Sequence, residues 1–261
     1  MVDWQAKAPA PQRDCGTGIQ PVSAFFRSLL VLDSLQSSLD NRLAPGLALI
    51  FDMDGVIVNS NGIHTETWIS FNRRYGLETT EAMLQFMYGR RNDEIVRGFY
   101  GDGLPEAEVA ARGAAKESLY REAMAGRVEQ FLTPGLRPFL DRYRHVPMAV
   151  ASNAEPENVW FILNEAALAP YFRAIVDGHQ VLRPKPFPDV YLRAAELLNT
   201  PPADCIVFED SHSGVQAARA AGMRVAGIAS THDSLPGAAL TVDDFVDPEL
   251  EIWLQAQSRA V

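Results

Sequence analysis

Two aspartates one residue apart follow an apolar segment early in the chain. Residues 47–51 (LALIF) are continuously apolar, and Asp52 and Asp54 come directly after them, with Gly55 next. A short apolar run bounded by turn residues is typical of a buried strand. At the end of such a strand, one carboxylate could attack a phosphorus centre while its neighbour handles a proton. The alternative for the pair taken alone is a simple turn, because Asp-Gly is a common turn signal.

Polar residues also stand at the ends of later apolar runs. Residues 147–151 (PMAVA) and 205–209 (CIVFE) predict two further strands, and the polar positions at their ends are Ser152, Asn153, Glu209 and Asp210. Lys185 lies in a proline-rich loop (RPKPFPD) ahead of a predicted helix. Ligands of open parallel sheets bind at the carboxyl ends of the strands. We therefore expect these side chains to converge on one crevice.

Several carboxylates in one crevice repel one another unless a cation lies between them. No His or Cys belongs to this cluster, so an oxygen-preferring ion such as Mg²⁺ fits better than zinc or copper. Lys185 and the Ser152 hydroxyl would add positive charge and hydrogen bonds for an anionic substrate. The formal net charge of the whole chain, 23 − 33 = −10, makes such local compensation necessary.

The predicted elements alternate between strands and helices. Two more strands are predicted at residues 173–177 and 224–229. Helices are predicted at residues 158–168, 189–198, 214–221 and 247–257. Continuously apolar strands alternating with helices indicate an α/β fold whose Rossmann-like parallel sheet is covered on both faces. Residues 60–130 show only helical patterns broken by glycines, which predicts an all-helical cap inserted into a core of residues 45–59 and 131–261.

The composition is that of a soluble globular protein, with 47% hydrophobic and 21% charged residues. The acidic balance argues against nucleic acid and anionic membranes as partners. No apolar run reaches the length of a membrane span. Two cysteines, Cys15 and Cys205, are too few for a disulfide framework, and this predicts a reducing, cytoplasmic location. Residues 1–44 are predicted to be a poorly ordered or helical extension, with an amphipathic helix at 23–32.

Four motifs, taken in order, resemble those of the haloacid-dehalogenase-like phosphatase superfamily. They are DMDGV at 52–56, Ser152-Asn153, KPFPD at 185–189 and FEDSHSGVQAARAAGM at 208–223. The resemblance spans roughly residues 45–246 and is closest to the subgroup with a helical cap after the first strand. That subgroup includes β-phosphoglucomutases and sugar-phosphate phosphatases. The resemblance implies Mg²⁺ as cofactor and a small phosphorylated metabolite, such as a sugar phosphate, as substrate.

The resemblance also implies a role for each matched residue. Asp52 matches the nucleophile that forms an aspartyl-phosphate, and Asp54 matches the general acid/base, whose backbone carbonyl also binds Mg²⁺. Asp210 matches the remaining protein ligand of Mg²⁺, and Glu209 stands beside it as a direct or water-mediated helper. Phosphate or substrate contacts are implied for Gly55, Ser152, Asn153 and Lys185.

Three residues of the predicted cap are candidates for substrate contact. His64 matches a position near the entrance of the site where the subgroup often has a histidine; the alternative is a partly exposed residue in a first helical turn. Arg90 and Arg91 are further candidates, and for them the alternative is a solvated helix face.

Three other residues depart from the family pattern. Asn59 stands where an aspartate is common, and Pro184 replaces the usual glycine before the motif lysine. Asn92 stands where β-phosphoglucomutases have an arginine that holds the distal phosphate, which favours a phosphatase. A β-phosphoglucomutase-type isomerase and a non-catalytic phosphate-binding relative remain the alternatives, although the latter would normally have lost a motif residue. The sequence predicts no oligomeric state.

Overall fold

The computed structural model of the protein describes residues 46–258. The predictions for residues 1–44, including the helix at 23–32 and the environment of Cys15, lie outside this range. Helix α10 (Pro248–Ser258), which was expected at 247–257, closes the described part of the chain, and its residues Leu250 and Leu254 are buried.

Within residues 46–258, one sheet of six parallel strands forms the core. The strands are β1 (Ala48–Phe51), β2 (Met148–Ala151), β3 (Ala174–Val176), β4 (Cys205–Glu209), β5 (Arg224–Ile228) and β6 (Leu240–Val242). Their order is β3-β2-β1-β4-β5-β6, so β1 lies in the interior of the sheet between β2 and β4. The predicted α/β fold with a parallel sheet is confirmed, and the edge strand β6 is an element that the apolar runs of the sequence did not predict.

Helices cover the sheet and follow β1 without an intervening strand. They are α1 (Asn61–Arg74), α2 (Glu81–Met87), α3 (Asn92–Tyr100), α4 (Glu106–Met124), α5 (Val128–Phe131), α6 (Leu136–Arg142), α7 (Pro156–Glu165), α8 (Asp189–Leu198), α9 (His212–Ala220) and α10. Short 3₁₀ turns occur at Ala169–Tyr171 and Pro202–Asp204. Among residues 46–258, no helix combines the length and apolar character needed to cross a bilayer.

The sheet has separate apolar layers on its two faces because the side chains of a strand alternate between them. Leu49 and Phe51 of β1 belong to one layer, and Ala48 and Ile50 belong to the other. All four side chains are fully buried. Continuous apolar character in β1, β2 and β4 is therefore explained by the burial of these strands on both sides. Each apolar run stops at the strand end, where the residues of the candidate site begin.

Helices α1 to α4 form a unit with an apolar cluster of its own. Its buried members are Trp68, Phe71, Met87, Ile95, Val96 and Val109. The two connections between this cap and the core run side by side: the Asn59 amide donates to the Phe131 carbonyl at 2.7 Å, and Val58 forms an antiparallel bridge with Leu132. The cap thus leaves and re-enters the core at one place.

Candidate active site

A cavity of about 580 Å³ lies between the cap helices and the carboxyl ends of the strands. Most of the sequence-predicted site residues line it: Asp52, Asp54, His64, Arg90, Arg91, Ser152, Asn153, Lys185 and Asp210. Glu209 is fully buried, and Gly55 packs against Asp210. The expected convergence of strand ends therefore occurs, and residues from both the cap and the core enclose one space.

Lys185 lies between two carboxylates at the base of this cavity. Its Nζ is 2.8 Å from Asp52 Oδ1 and 2.7 Å from Glu209 Oε1. All three side chains are buried. The charges of Asp52 and Glu209 outweigh the effect of burial and raise the pKa of Lys185. The lysine therefore remains an ammonium that could hold a phosphate oxygen beside Asp52.

Asp52, Glu209 and Asp210 form a compact group of carboxylates. One oxygen of each lies within 4.8 Å of the others. Burial raises the pKa of Asp52 to about 7, with Lys185 opposing this shift and Glu209 adding to it. Burial and the charges of Glu209 and Asp52 likewise raise the pKa of Asp210. Three clustered carboxylates beside a single ammonium form a group of oxygen ligands that suits a hard divalent cation such as Mg²⁺.

The absence of a side chain at Gly55 leaves space for the carboxylate of Asp210. The φ of Gly55, +81°, is accessible to glycine at little cost, and a Cβ there would lie 1.8 Å from Asp210 Oδ2. The same carboxylate oxygen accepts hydrogen bonds from Asn61, Ser230 and Thr231. Gly55 thus contributes by omitting a side chain, and the three donors are site residues that no sequence motif indicated.

Glu209 is held by the protein through both of its carboxylate oxygens. Its Oε1 accepts from Tyr191 at 2.9 Å as well as from Lys185, and its Oε2 accepts from the amide and the hydroxyl of Ser211 at 2.7 and 3.0 Å. A Cβ on Gly214 would overlap this carboxylate. The geometry therefore fits Glu209 as an anchored, supporting member of the acidic group rather than a freely oriented ligand.

Asp54 has a different environment from Asp52. Its carboxylate stands apart from the three-membered group; its Oδ1 lies 2.5 Å from Ser60 Oγ and 3.3 Å from His64 Nε2. Burial acts to raise the pKa of Asp54, but the hydrogen bonds that it accepts from His64 and Ser60 oppose this effect, and its pKa is lowered. The pKa values of the two neighbouring aspartates are thus moved in opposite directions, so their carboxyl groups lie in different electrostatic environments.

His64 is connected to a buried lysine of the cap. Lys116 Nζ lies 2.6 Å from His64 Nδ1, and the ring of Tyr120 stacks on the His64 ring at 3.9 Å. Lys116 is only 1% exposed and forms an ion pair of 2.9 Å with Glu117, whose pKa is lowered to about 2 because this lysine and its other donors outweigh burial. His64 itself lines the cavity, and its role in substrate contact stays a prediction.

Lys116 is a site residue that sequence reasoning missed. In the structure, the buried positions Val109, Gly113, Tyr120 and Met124 of α4 recur at helical spacing, and Lys116 lies on the same face. The alanines of this helix distribute apolar character around it, so its sequence has no clear apolar stripe that would mark Lys116 as buried.

Ser152 and Asn153 follow β2 as predicted. Ser152 is buried, and its Oγ accepts from the Ala154 amide at 3.0 Å. The Asn153 amide group donates to the Gly89 carbonyl of the cap at 2.9 Å, and its Oδ1 accepts from the Lys185 amide at 3.1 Å. Asn153 thus ties the cap to the lysine loop, while the Ser152 hydroxyl keeps its own proton available for an anion.

Arg90 and Arg91 lie at the start of α3, with separate partners. Arg90 is exposed, lies 3.5 Å from Glu94 and stacks on Phe86. Arg91 reaches across to the core, where its Nη2 donates to the carbonyls of Gly178 and Val181. Both line the cavity: Arg90 is paired with Glu94, whereas the Nη2 of Arg91 is bonded to the core and its buried Nε has no hydrogen-bond partner among the described residues.

The three departures from the family pattern have simple surroundings. Asn59 is exposed, and its backbone amide joins the two cap connections. The Pro184 carbonyl accepts from the Phe187 amide at 2.9 Å in the turn that holds Lys185. Asn92 lines the cavity at the first position of α3 and packs closely against Gly113. Asn92 is therefore the only one of the three that faces the cavity among the described residues.

The chain is similar in sequence and in fold to known proteins. Fructose-1-phosphate phosphatase YqaB of Escherichia coli is 31% identical over 175 residues, covering 67% of this chain and 92% of that protein. β-Phosphoglucomutase of Bacillus subtilis is 29% identical over 223 residues, covering 81% and 97%. The crystal structure of a β-phosphoglucomutase from Clostridium difficile has the same fold, with a TM-score of 0.73, 22% identity and coverage of 82% and 99%.

A family model agrees with these pairwise similarities. The model described as haloacid dehalogenase-like hydrolase matches residues 47–222, about two thirds of the chain. This stretch begins at β1 with its two aspartates and extends past the acidic pair at the end of β4. The sequence-based expectation is confirmed: the chain belongs to the haloacid dehalogenase-like hydrolase family.

Proposed function

We propose that the protein is a Mg²⁺-dependent phosphomonoester hydrolase that acts on a small phosphorylated metabolite, such as a sugar phosphate. The observation that carries this proposal is the placement of Asp52 at the end of an interior strand. There it lies 2.8 Å from the Lys185 ammonium and within a group of three carboxylates that suits a hard cation. Its relatives include a sugar-phosphate phosphatase, which supports the same class of reaction.

In the proposed reaction, Asp52 attacks phosphorus and forms an aspartyl-phosphate as the ester bond breaks. Lys185 and Ser152 hold the non-bridging phosphate oxygens. Asp54 gives a proton to the departing oxygen, then takes one from the water that hydrolyses the aspartyl-phosphate. Mg²⁺, held by Asp52, Asp210 and the Asp54 carbonyl with Glu209 in support, would offset the negative charge of phosphate and carboxylates.

Asp54 as proton donor leads to a prediction about leaving groups. The ligand-free site favours its ionised form, whereas bound phosphate and exclusion of water by the cap oppose this. We expect Asp54→Asn to reduce turnover of alkyl phosphates by ~10²–10⁴-fold, and to reduce turnover of p-nitrophenyl phosphate far less, because p-nitrophenolate leaves without a proton. Steady-state kinetics on both esters measures this, and equal losses would contradict the assignment.

The cap favours hydrolysis over phosphoryl shuttling. A mutase must bind a bisphosphate in two orientations, which requires a firm cationic grip on the distal phosphate. Asn92 offers only a neutral amide, Arg91 is bonded to two carbonyls of the core, and Arg90 is exposed beside Glu94. The similarity to a β-phosphoglucomutase keeps the isomerase as the competing proposal.

One experiment separates the two reactions. β-Glucose 1-phosphate with a trace of β-glucose 1,6-bisphosphate, and in parallel a panel of sugar phosphates, are supplied with Mg²⁺ while glucose 6-phosphate and free phosphate are followed. Steady release of phosphate, abolished by chelation and restored by Mg²⁺, is expected. Rapid glucose 6-phosphate formation with little free phosphate would overturn the phosphatase proposal, and full activity after exhaustive chelation would overturn the metal requirement.

The proposed partners are limited to the substrate and the ion. The acidic net charge supports the exclusion of nucleic acid and membrane surfaces. A cytoplasmic location is proposed because the chain has only two cysteines, and Cys205 is a buried free thiol.

A further inference from the structure

A continuous path of hydrogen bonds leads from Asp54 through the cap and back into the core. We propose that Asn158, a core residue on α7, is a positioning residue for the Asp54 acid/base, and that it acts through Glu117, Lys116 and His64. The inference rests on the proposed function for the role of Asp54. It adds a residue outside the four motifs and makes the proton-transfer arrangement depend on how the cap contacts the core.

The first step of the path fixes the proton of His64. An ammonium group only donates, so the 2.6 Å contact between Lys116 Nζ and His64 Nδ1 makes Nδ1 the acceptor. The ring proton of a neutral imidazole is then on Nε2, which faces Asp54 Oδ1 at 3.3 Å. Tyr120, stacked on the ring, limits its rotation. The contact with Lys116 therefore leaves the Nε2–H of His64 as the hydrogen-bond donor to Asp54.

The second step keeps Lys116 in place. Its ammonium is buried, and Glu117 is the carboxylate that compensates it, with Oε1 at 2.9 Å. The other oxygen of Glu117 accepts from Asn158 Nδ2 at 2.6 Å. Glu117 is 3% exposed, so without Asn158 that oxygen would lose its hydrogen bond inside the protein. The carboxylate would then be free to rotate and draw Lys116 away from His64.

The third step anchors Asn158 itself. Its Oδ1 accepts from Arg121 Nη1 at 2.6 Å, so both ends of the amide are occupied and its orientation is fixed. Asn158 is 2% exposed and sits in α7, a rigid element of the core that follows Ser152. Glu117 and Lys116 sit in cap helix α4. The Asn158–Glu117 bond therefore exists only while α4 lies against α7.

A second contact between the cap and α7 serves as the control. The Gly126 amide, just after α4, donates to a carboxylate oxygen of Glu165 at the end of α7, and this contact involves no residue of the path. If Asn158 merely helped to seat the cap, Glu165→Ala would have similar effects. If Asn158 acts through the path, Glu165→Ala leaves proton transfer unchanged.

The test is a double-mutant cycle on two aryl esters of similar size, phenyl phosphate and p-nitrophenyl phosphate. Asn158→Asp replaces the hydrogen-bond donor with a second carboxylate oxygen. We expect this variant to lower kcat for phenyl phosphate about tenfold and to change KM less than about twofold. The kcat for p-nitrophenyl phosphate should fall much less. When Lys116 is already replaced by Met, adding Asn158→Asp should lower kcat for phenyl phosphate less than about twofold. Asn158→Ala is the second variant, should Asn158→Asp not fold.

Additive losses in the cycle, equal losses on both esters, or the same leaving-group dependence in Glu165→Ala would each overturn the proposal. A readout that needs no turnover is the ¹⁵N spectrum of the His64 ring in metal-free protein, assigned with His64→Gln. We expect Nε2–H in the wild type and a shifted tautomer signal in Asn158→Asp, and an unchanged signal would also refute the path. If the wild type cleaves neither these esters nor any sugar phosphate of the panel, the proposed function fails, while this spectrum still decides the role of Asn158.

Discussion

Replacing Asp52 with Asn is expected to abolish turnover of phosphate esters, by ~10⁴-fold or more, because an amide oxygen is too weak a nucleophile to form the acyl-phosphate bond. Single-turnover kinetics with a sensitive phosphate assay measures the loss. Mass spectrometry of the wild type, quenched during turnover, should locate one added phosphoryl group on Asp52. Near-normal activity in the variant would refute the nucleophile assignment.

The same variant is expected to fold at least as well as the wild type. Burial holds the pKa of Asp52 at about 7, above the value of an unfolded chain. The folded state then binds more protons than the unfolded one, so ionised Asp52 lowers stability as pH rises through that range. An amide lacks this cost, and Lys185 keeps Glu209 as a partner. Asp102→Asn, at an exposed cap position, is the matched control and should leave both activity and unfolding unchanged.

Replacing Lys185 with Met is expected to cost about 3–5 kcal/mol of unfolding free energy in metal-free buffer as well as activity. The change leaves the buried carboxylates of Asp52 and Glu209 without their shared cation. The loss should be larger at pH 8 than at pH 5, since protonation of the carboxylates removes their repulsion. Denaturant unfolding at the two pH values measures it.

Mg²⁺ adds a second arm to the Lys185→Met experiment. A cation bound to the acidic group would replace part of the missing positive charge, so Mg²⁺ should stabilise the variant more than it stabilises the wild type. Arg183→Gln is the control, because Arg183 is about half exposed and pairs with Asp189 at the surface. Equal stability of Lys185→Met and wild type in chelator would contradict the buried ion-pair interpretation.

The centre of the fold could be predicted from sequence because its strands are unusually easy to recognise. β1, β2 and β4 are buried on both faces, so they read as unbroken apolar runs, and the first turn residue marks the end of each. The polar residues placed at those ends do gather around one cavity. The edge strand β6, Leu-Thr-Val, escaped notice because it has three residues and only partial burial.

The cap side of the site could not be derived in the same way. The site residues on the cap helices come together because α4 packs on α1 and α7. The position of a residue along its helix does not reveal which neighbouring element its side chain contacts. Arg91 illustrates this, because its two acceptors, Gly178 and Val181, lie 87 and 90 positions further along the chain. Asn158 is a second example, because nothing in the surrounding sequence EPENVW indicates that this asparagine contacts the cap.

The paired connections at Val58–Leu132 have a consequence for the family history of this chain. The core holds the two ends of the cap segment side by side, so this segment forms a large loop that the core closes. The entropy cost of closing such a loop depends only weakly on the number of residues in it. Insertions or deletions in the outer part of the cap would therefore change the stability of the sheet little, whereas Ile63, Tyr120 and Met124 pack into the core and would have to be kept. Selection could alter what the enzyme accepts without disturbing the strand that carries the nucleophile.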